Sequence, residues 1–339
     1  MNFVGEFIMF ERKFFQLKNY NTLRMRSIAK SFFEIESESE LHYLFINKSE
    51  LLEDFKVLGE GSNLWLSNKE IPVVLKLNLK GIELDCDSKK IRAKVKAGES
   101  WSQFVEIITI KGASGVQFLV DIPGTVGAAP VQNIGAYGAE ICEFIKSVKV
   151  FDTNTLCFRE LSRADCLFSY RDSIFKRYNR LIITEVTFEF ERLSEQVVEN
   201  KEVSGLLGSG DKTPENLLLA VRELRSKKLP DYKLSPNAGS FFKNPIISKD
   251  LLEKLKKKLP ELVYFEVREG FKVSAAYLIE KAGWKGKFID DVGMSEMHAL
   301  VFVNMSDNGN QAAVKYIQLL KNDILNKFNI KLDVEPINW

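Results

Sequence analysis

Short β-type runs separated by glycine-containing turns fill the first half of the chain, and they limit the folds open to it. Between residues 19 and 190 the runs are FKVL, VVLKL, IRAKVKAG, SVKVFD and RLIITEVTFEF. Two helices are predicted among them, near residues 37–45 and at 100–111, where apolar residues recur at helical spacing. A doubly wound sheet requires a regular alternation of strands and helices, so this pattern indicates an α+β fold.

The second half of the chain has a different pattern. Residues 194–216 are polar and contain glycines, which predicts a loop or linker, and Thr213-Pro214-Glu215 then predicts the start of a helix that ends near Lys228. Beyond Leu229-Pro230 the pattern predicts helices at 249–258, 273–282 and 309–328 and strands at 299–303 and 330–334. The predicted parts are an N-terminal extension (1–18), a first domain (19–193), a loop with a linker helix (194–228) and a second domain (229–339).

Composition excludes several classes of partner. The 48 Lys and Arg residues nearly cancel the 46 Asp and Glu residues, so the net charge of +2 provides no general field for nucleic acid or anionic lipid. The four cysteines lack CxxC spacing, so we expect reduced thiols and no metal site. The apolar N-terminal stretch is interrupted by Glu6, and no apolar run reaches the roughly 18 residues of a membrane span. We therefore expect a cytoplasmic protein, and a monomer.

The most informative segment is 122–138, IPGTVGAAPVQNIGAYG, which has four glycines and no charged side chain. Glycine permits positive φ and close approach, so such a loop can hold a pyrophosphate with main-chain N–H groups. A second candidate loop, GEGSN at 59–63, directly follows the run FKVL. Neither loop matches a P-loop or the GxGxxG of a βαβ unit, so two tight structural turns are an equal alternative for these glycines taken alone.

With their neighbours, the two loops resemble the flavin-contacting loops of the UDP-N-acetylenolpyruvoylglucosamine reductase family. Further motifs similar to those of the family follow its order along the chain, and the resemblance extends from about residue 18 to the C-terminus. These motifs are Asn21-Thr22, FSYRDSIFK (168–176), KLPDYKLSPNAGSFFKNP (228–245), AAYLIEKAGWKG (275–286) and Leu332-Asp333-Val334-Glu335.

The resemblance implies a two-part FAD-binding domain of the vanillyl-alcohol-oxidase (PCMH) type and a smaller C-terminal α+β substrate domain. It implies that NADPH reduces a noncovalent FAD, which passes hydride to UDP-N-acetylglucosamine-enolpyruvate and yields UDP-N-acetylmuramate for peptidoglycan. The residues that the resemblance assigns to the FAD site are Gly59, Glu60, Gly61, Ser62, Asn63, Pro123, Gly124, Thr125, Gly127, Ala128, Asn133, Gly135, Ala136, Tyr137 and Gly138.

The resemblance also implies three catalytic residues. Arg171 matches the YRDS arginine, and a guanidinium can pair with the substrate carboxylate in bidentate geometry; the alternative is a pair with Asp172. Ser240 matches the proton donor, and only the resemblance makes it catalytic; the alternative is a turn or cap hydroxyl. Glu335 matches an acidic residue that acts on the intermediate, and the sequence leaves its protonation state open.

Further residues are placed at the substrate by the same resemblance. Lys228 and Asn244 match contacts to phosphate and sugar, with a helix-terminal lysine and a turn asparagine as the alternatives. Asn200 falls where related sequences have a tyrosine over the uridine diphosphate, so either the loop is shifted or closure differs. We expect His298 to be an ordinary histidine, with a place near the substrate as the alternative.

Two other functions compete with this interpretation. Another FAD-dependent oxidoreductase on the same fold, of the alcohol oxidase type, would have the glycine loops but no need of Ser240 together with Glu335. A non-catalytic nucleotide-binding module would bind without turnover.

Overall fold

The computed structural model describes residues 10–192, 198–307 and 309–339, which form two compact units. The first unit contains the described part of Met1–Phe15 together with Ala29–Glu60 and Glu70–Lys227. The second contains Gln16–Ile28, Gly61–Lys69 and Lys228–Trp339. These units differ from the continuous domains predicted from the sequence, because two short N-terminal segments belong with the C-terminal part.

The helices of the described residues follow capping and apolar periodicity. Ser37 accepts a hydrogen bond from the Glu40 N–H, and Ser248 accepts one from the Leu251 N–H, so each caps a helix. No helix in the described ranges is both long and apolar enough to cross a membrane. In those ranges the helices are α1 (Glu38–Asn47), α2 (Trp101–Ile110), α3 (Ile174–Arg177), α4 (Lys201–Leu207), α5 (Pro214–Lys228), α6 (Lys249–Lys258), α7 (Ala275–Lys281) and α8 (Gly309–Phe328).

The strands are short, as the frequent turn residues predict. In chain order, the described residues give β1 (Arg12–Gln16), β2 (Ile28–Ile35), β3 (Phe55–Leu58), β4 (Leu64–Trp65), β5 (Glu70–Leu77), β6 (Ile82–Cys86), β7 (Lys90–Lys96), β8 (Gly135–Ala136), β9 (Ala139–Glu140), β10 (Ile145–Asp152), β11 (Cys157–Ser162), β12 (Leu181–Glu191), β13 (Asn237–Ser240), β14 (Ile246–Ile247), β15 (Tyr264–Val267), β16 (Gly270–Val273), β17 (Phe288–Ile289), β18 (Val292–Met294), β19 (Val301–Asn304) and β20 (Ile337–Asn338).

The first unit is built on two main sheets. One has the order β1-β2-β5-β3, with β3 and β5 parallel, and the other is an antiparallel sheet of order β11-β10-β12-β7-β6. Helix α2 packs its apolar face on the second sheet, where Trp101 and Phe104 meet Phe188 at ring-centroid distances of 6.1 and 5.1 Å. Helix α2 is therefore held against an aromatic core.

The second unit has an antiparallel sheet of order β13-β19-β18-β17 and a small sheet of order β14-β16-β15. Helix α8 covers the first of these with the buried Tyr316, whose hydroxyl accepts from the Met294 N–H and donates to the Lys287 carbonyl. The N-terminal segment joins this unit because the Asn304 side chain donates to the Leu23 carbonyl at 2.8 Å. Strand β20 adds a parallel pair with β4.

The predicted helices at 37–45, 100–111, 249–258, 273–282 and 309–328 are confirmed within a few residues, and so is the helix that ends at Lys228. Two predictions were wrong. Residues 201–207, expected in a loop, form α4 because Asn200 caps it; residues 193–197 of that predicted segment lie outside the described residues. The strand expected at 330–334 is only an isolated bridge from Val334 to Phe242, and the strand itself lies at Ile337–Asn338.

Candidate active site

The two glycine loops of the first unit pack directly against each other. A Cβ added at Gly59 would lie 3.3 Å from Ala128 Cβ and only 2.8 Å from Thr125 Oγ1. Real Cβ atoms do not approach other heavy atoms this closely, so only glycine permits the packing. The glycines predicted from the sequence to allow close approach therefore allow it first between the loops themselves.

Several main-chain donors of this segment are used inside the protein. The Gly127 N–H donates to the Ala97 carbonyl, the Val126 N–H to that of Glu99, and the Ala128 N–H to that of Thr125. The open surface lies further along the segment, where Gly138 has a φ of 97° and an added Cβ would meet nothing within 4 Å. The first half of the segment is thus held rigidly by main-chain hydrogen bonds, and the second half is open at Gly138.

Glu60 links the two loops. Its carboxylate accepts a hydrogen bond of 3.1 Å from the Gly124 N–H, while the Lys76 ammonium donates to the carbonyl of Gly59. Burial lowers the pKa of Lys76, and the nearby charges of Glu60 and Glu34 oppose that shift. The contact of Lys76 with this loop was not predicted from the sequence, where the signal was a lysine inside the apolar run VVLKL. The fold places Lys76 opposite Leu58 in the parallel pair of β3 and β5.

Arg171 reaches the glycine segment from the YRDS turn. It adopts a φ of 54°, and its guanidinium donates from Nη2 to the Gly135 carbonyl at 2.7 Å. Asp172, the alternative partner, accepts a 3.0 Å hydrogen bond from Arg177 Nε. The Arg171 Nη1 also donates to the Asn133 carbonyl at 3.5 Å, so the guanidinium is held on the loop, and its pairing with a substrate carboxylate stays a prediction.

Asn133 shapes the same turn from inside. It is fully buried with a φ of 46°, its amide nitrogen donates to Glu140 and to the Ser169 carbonyl, and its Oδ1 accepts from the Cys142 N–H. A side chain with no exposed surface holds the loop in shape and offers a ligand no direct contact in this conformation. The role of Asn133 at the flavin stays a prediction.

Tyr137 stands at the far end of the segment beside two charged side chains. Burial raises the pKa of its phenol, the Arg225 charge opposes that rise, and the Glu202 charge adds to it. Glu202 lies in the first turn of α4, whose N-cap is Asn200; the Asn200 Oδ1 accepts from the N–H groups of Glu202 and Val203, both at 3.1 Å. A capping role for Asn200 is thus established, and a role at the nucleotide stays a prediction.

The remaining part of the GEGSN loop belongs to the second unit. Gly61 has a φ of 67°, and an added Cβ would lie 2.1 Å from the Tyr20 carbonyl oxygen. The Thr22 N–H donates to the Gly61 carbonyl at 3.2 Å, and the Thr22 hydroxyl donates to that of Ser62 at 3.4 Å. The Asn63 carbonyl accepts from the Ile337 N–H at 2.9 Å. The Asn21-Thr22 motif therefore supports this loop.

Ser240 ends β13 with its side chain exposed. The preceding turn is fixed by a 2.9 Å hydrogen bond from the Gly239 N–H to Asn237 Oδ1, and Gly239 has a φ of 67°. Ser240 lies opposite Val301 in the antiparallel pair of β13 and β19. The structure therefore shows an exposed serine at a strand end, and its role as proton donor stays a prediction.

Glu335 comes close to Ser240 through the backbone. Its N–H donates to the carbonyl of Phe241 at 2.9 Å, and the Lys243 N–H donates to the Asp333 carbonyl at 2.9 Å. The C-terminal segment therefore runs beside the residues that follow Ser240. Glu335 is only 8% exposed.

Lys228 and His298 lie within electrostatic reach of each other in the second unit. Burial lowers the pKa of His298, and the positive charges of Lys228 and Lys285 lower it further, against Glu280. His298 Nδ1 accepts from the Leu300 N–H at 3.1 Å, so a neutral ring carries its hydrogen on Nε2.

Asn244 holds the start of α7. Its Oδ1 accepts from the Ala275 N–H at 3.0 Å, so a substrate contact would use its amide Nδ2. The turn asparagine that the sequence left as the alternative is thus observed, and the substrate contact stays a prediction.

Comparisons with known proteins match both parts of the chain. Residues 230–339 match the family described as UDP-N-acetylenolpyruvoylglucosamine reductase, C-terminal domain, and residues 37–157 match an FAD binding domain. The UDP-N-acetylenolpyruvoylglucosamine reductase of Bdellovibrio bacteriovorus is 39% identical over 330 residues, which are 95% of this chain and 98% of that protein. The chain belongs to the UDP-N-acetylenolpyruvoylglucosamine reductase family.

Other members of this reductase family are similar to the chain in sequence or in fold. The UDP-N-acetylenolpyruvoylglucosamine reductase of Pseudomonas fluorescens is 36% identical over 326 residues, with coverage of 94% of this chain and 96% of that protein. The crystal structure of the reductase from Thermus caldophilus shares the fold, with a TM-score of 0.66 and 23% identity over 98% of this chain and 99% of that one. The predicted fold class and the FAD-binding domain of a reductase-family member are confirmed.

Proposed function

We propose that the chain catalyses the NADPH-dependent, FAD-mediated reduction of UDP-N-acetylglucosamine-enolpyruvate to UDP-N-acetylmuramate, a step of peptidoglycan precursor synthesis. The observation that carries this proposal is the end-to-end similarity to reductases of that name, which includes both the FAD-binding domain and the C-terminal reductase domain. In the net reaction a hydride adds to the enolpyruvyl methylene and a proton to the adjacent carbon. NADPH supplies the hydride and becomes NADP⁺.

In the first unit, bound FAD would lie along the glycine segment and supply the hydride carrier. The chain's own contribution there is shape and charge. Arg171 is anchored on the Gly135 carbonyl and is therefore fixed relative to the segment. A fixed guanidinium stabilises the negative charge that builds on the substrate carboxylate during hydride addition, because it does not have to reorganise as the charge forms.

In the second unit, Ser240 and Glu335 handle the proton. The exposed Ser240 hydroxyl is the donor to carbon, and its strand-end position keeps it in one place. Glu335, on the neighbouring segment, acts on the developing charge from a buried position. The proton must reach the carbon next to the one that receives the hydride, so Ser240 and Glu335 have to be held rigidly. Main-chain hydrogen bonds hold both residues.

Lys228 and Asn244 are assigned to the nucleotide side of the substrate. Lys228 carries a positive charge at the end of α5, as expected for a diphosphate partner. Asn244 is held at the start of α7 and can offer its amide nitrogen to a sugar hydroxyl.

One experiment tests the proposal directly. Purified protein reconstituted with FAD is mixed anaerobically with NADPH, and the flavin absorbance is followed before and after the enolpyruvyl substrate is added. We expect bleaching by NADPH and recovery with the substrate, and equimolar UDP-N-acetylmuramate in the product mixture. Recovery only with oxygen, together with oxygen consumption on simple alcohols, would instead identify an alcohol oxidase. FAD binding without any bleaching would contradict the proposal.

A further inference from the structure

The residue that precedes the glycine segment, Asp121, is held from two helices. Its φ is 54°, a left-handed conformation that aspartate tolerates better than most residues. Its carboxylate accepts from Ser102 Oγ on α2 at 2.9 Å. From α5 it accepts two bonds from Arg222, through Nε at 2.8 Å and through Nη2 at 3.1 Å. This is the bidentate geometry of a strong charge-assisted pair.

Helix α5 makes a further contact one turn later. Arg225 donates from Nη2 to the main-chain carbonyl of Asp121 at 3.1 Å. Its guanidinium also lies close enough to Tyr137, at the other end of the segment, for its charge to oppose the rise in the pKa of that phenol. Two arginines on one helix face therefore act on both ends of residues 122–138.

The electrostatics of Asp121 favour the ionised pair. Burial alone would raise the pKa of Asp121, but the hydrogen bonds from Arg222 and Ser102 outweigh it and leave this pKa lowered. Arg222 also pairs with Glu106 on α2, a side chain that is 45% exposed. The Asp121 side chain is 32% exposed, so solvent screens the pair with Glu106 more than the pair with Asp121, which lies at the start of the loop.

We propose that Asp121 and Arg222 are positioning residues for the FAD site: their ion pair fixes the start of the glycine segment to α2 and α5 and thereby sets the affinity for FAD. Neither side chain is assigned a contact with flavin or substrate. The inference rests on the proposed function only in taking residues 122–138 as an FAD loop. The ion pair of Asp121 and Arg222 would supply the charged anchor that residues 122–138, which contain no charged side chain, lack.

The test compares FAD dissociation constants, measured by quenching of FAD fluorescence, with turnover at saturating FAD. Asp121→Asn and Arg222→Gln should each weaken FAD binding about tenfold, since each breaks hydrogen bonds to a charged group. The double variant should be no weaker than either single variant, because both changes break the same pair. Excess FAD should restore kcat, since the pair touches neither substrate nor hydride. Glu106→Gln is the matched control and should stay within about twofold of wild type.

Asp121→Gly separates the ion pair from the backbone conformation, because glycine adopts the same positive φ without the carboxylate. We expect it to bind FAD as weakly as Asp121→Asn. Wild-type affinity in Asp121→Gly or in Arg222→Gln, with circular dichroism showing a folded protein, would overturn the proposal, and so would additive losses in the double variant. Failure of the wild-type protein to bind FAD would contradict the proposed function itself and is distinguishable from these outcomes.

Discussion

Arg171 donates a 2.7 Å hydrogen bond to the carbonyl of Gly135 from a left-handed backbone position, so the YRDS turn and the glycine segment form one local structure. Non-glycine residues with positive φ cost energy and persist where the surroundings fix them. The surroundings here include a 3.0 Å hydrogen bond between the Ser169 N–H and the Asp172 carbonyl, which closes the turn around Arg171. The guanidinium is therefore presented by a rigid hairpin.

We predict that Arg171→Lys lowers kcat/KM by about 100-fold or more, because an ammonium cannot reproduce the planar pair of donors aimed at developing charge. FAD binding should weaken less than turnover, since the flavin loop has further anchors. Steady-state kinetics at saturating FAD measure this. Arg177→Lys, in the same motif but half exposed and paired with Asp172, is the control and should remain within about twofold. If Arg171→Lys, like Arg177→Lys, kept a kcat/KM within about twofold of wild type, Arg171 would have no catalytic role.

Ser240→Ala should separate the two half-reactions. Bleaching of the flavin by NADPH should be unchanged, whereas reoxidation by the enolpyruvyl substrate should slow by roughly 10²–10⁴-fold, the usual contribution of general acid catalysis. Rapid-mixing absorbance resolves both phases. Ser248→Ala, which removes the cap of α6 in the same unit, serves as the matched serine change and should alter neither phase. Recovery at the wild-type rate would reduce Ser240 to a turn residue.

Gly61→Ala should destabilise the protein by at least about 2 kcal/mol, because alanine disfavours a φ of 67° and its Cβ would overlap the Tyr20 carbonyl. Gly205→Ala in α4 is the contrasting change. Its Cβ would meet nothing within 4 Å, and alanine is the better helix former by up to about 1 kcal/mol. Urea unfolding measures the free energy of unfolding of both variants, which should fall in Gly61→Ala and rise in Gly205→Ala.

His298 should make stability depend on pH. Its folded-state pKa is lowered by burial and by Lys228 and Lys285, so below the unfolded-state pKa of about 6.5 the unfolded chain binds the proton more readily. The contribution of His298 to the free energy of unfolding is therefore fully present above that pH and is lost as the pH falls through the lowered folded-state pKa. Urea unfolding at pH 7.5 and 5.5 should show a smaller loss in His298→Gln than in wild type. An identical pH dependence in the two proteins would show that His298 titrates normally.

The sequence predicted much of the local structure because its signals are local. Apolar spacing located α1 and α2, the start signal Thr213-Pro214-Glu215 located α5, and the glycine segment marked the loop where close packing occurs. It failed at 201–207, where polar composition suggested a loop although Asn200 supplies an N-cap. It failed again at 330–334, because pairing of a strand depends on which partner edge the fold presents.

For the candidate site, too, some features follow from the sequence and others only from the tertiary structure. The resemblance of the sequence motifs to the reductase family, and not residue type alone, assigned Arg171 to a carboxylate and Ser240 to a proton, and both roles stay predictions. Only tertiary structure placed Gly135 under the Arg171 guanidinium, set the Glu335 backbone beside Phe241, and brought Arg222 to Asp121 across 101 residues of chain. Hydrogen bonds and ion pairs between distant residues depend on how helices and sheets pack, and no periodicity or spacing in the chain encodes that packing directly.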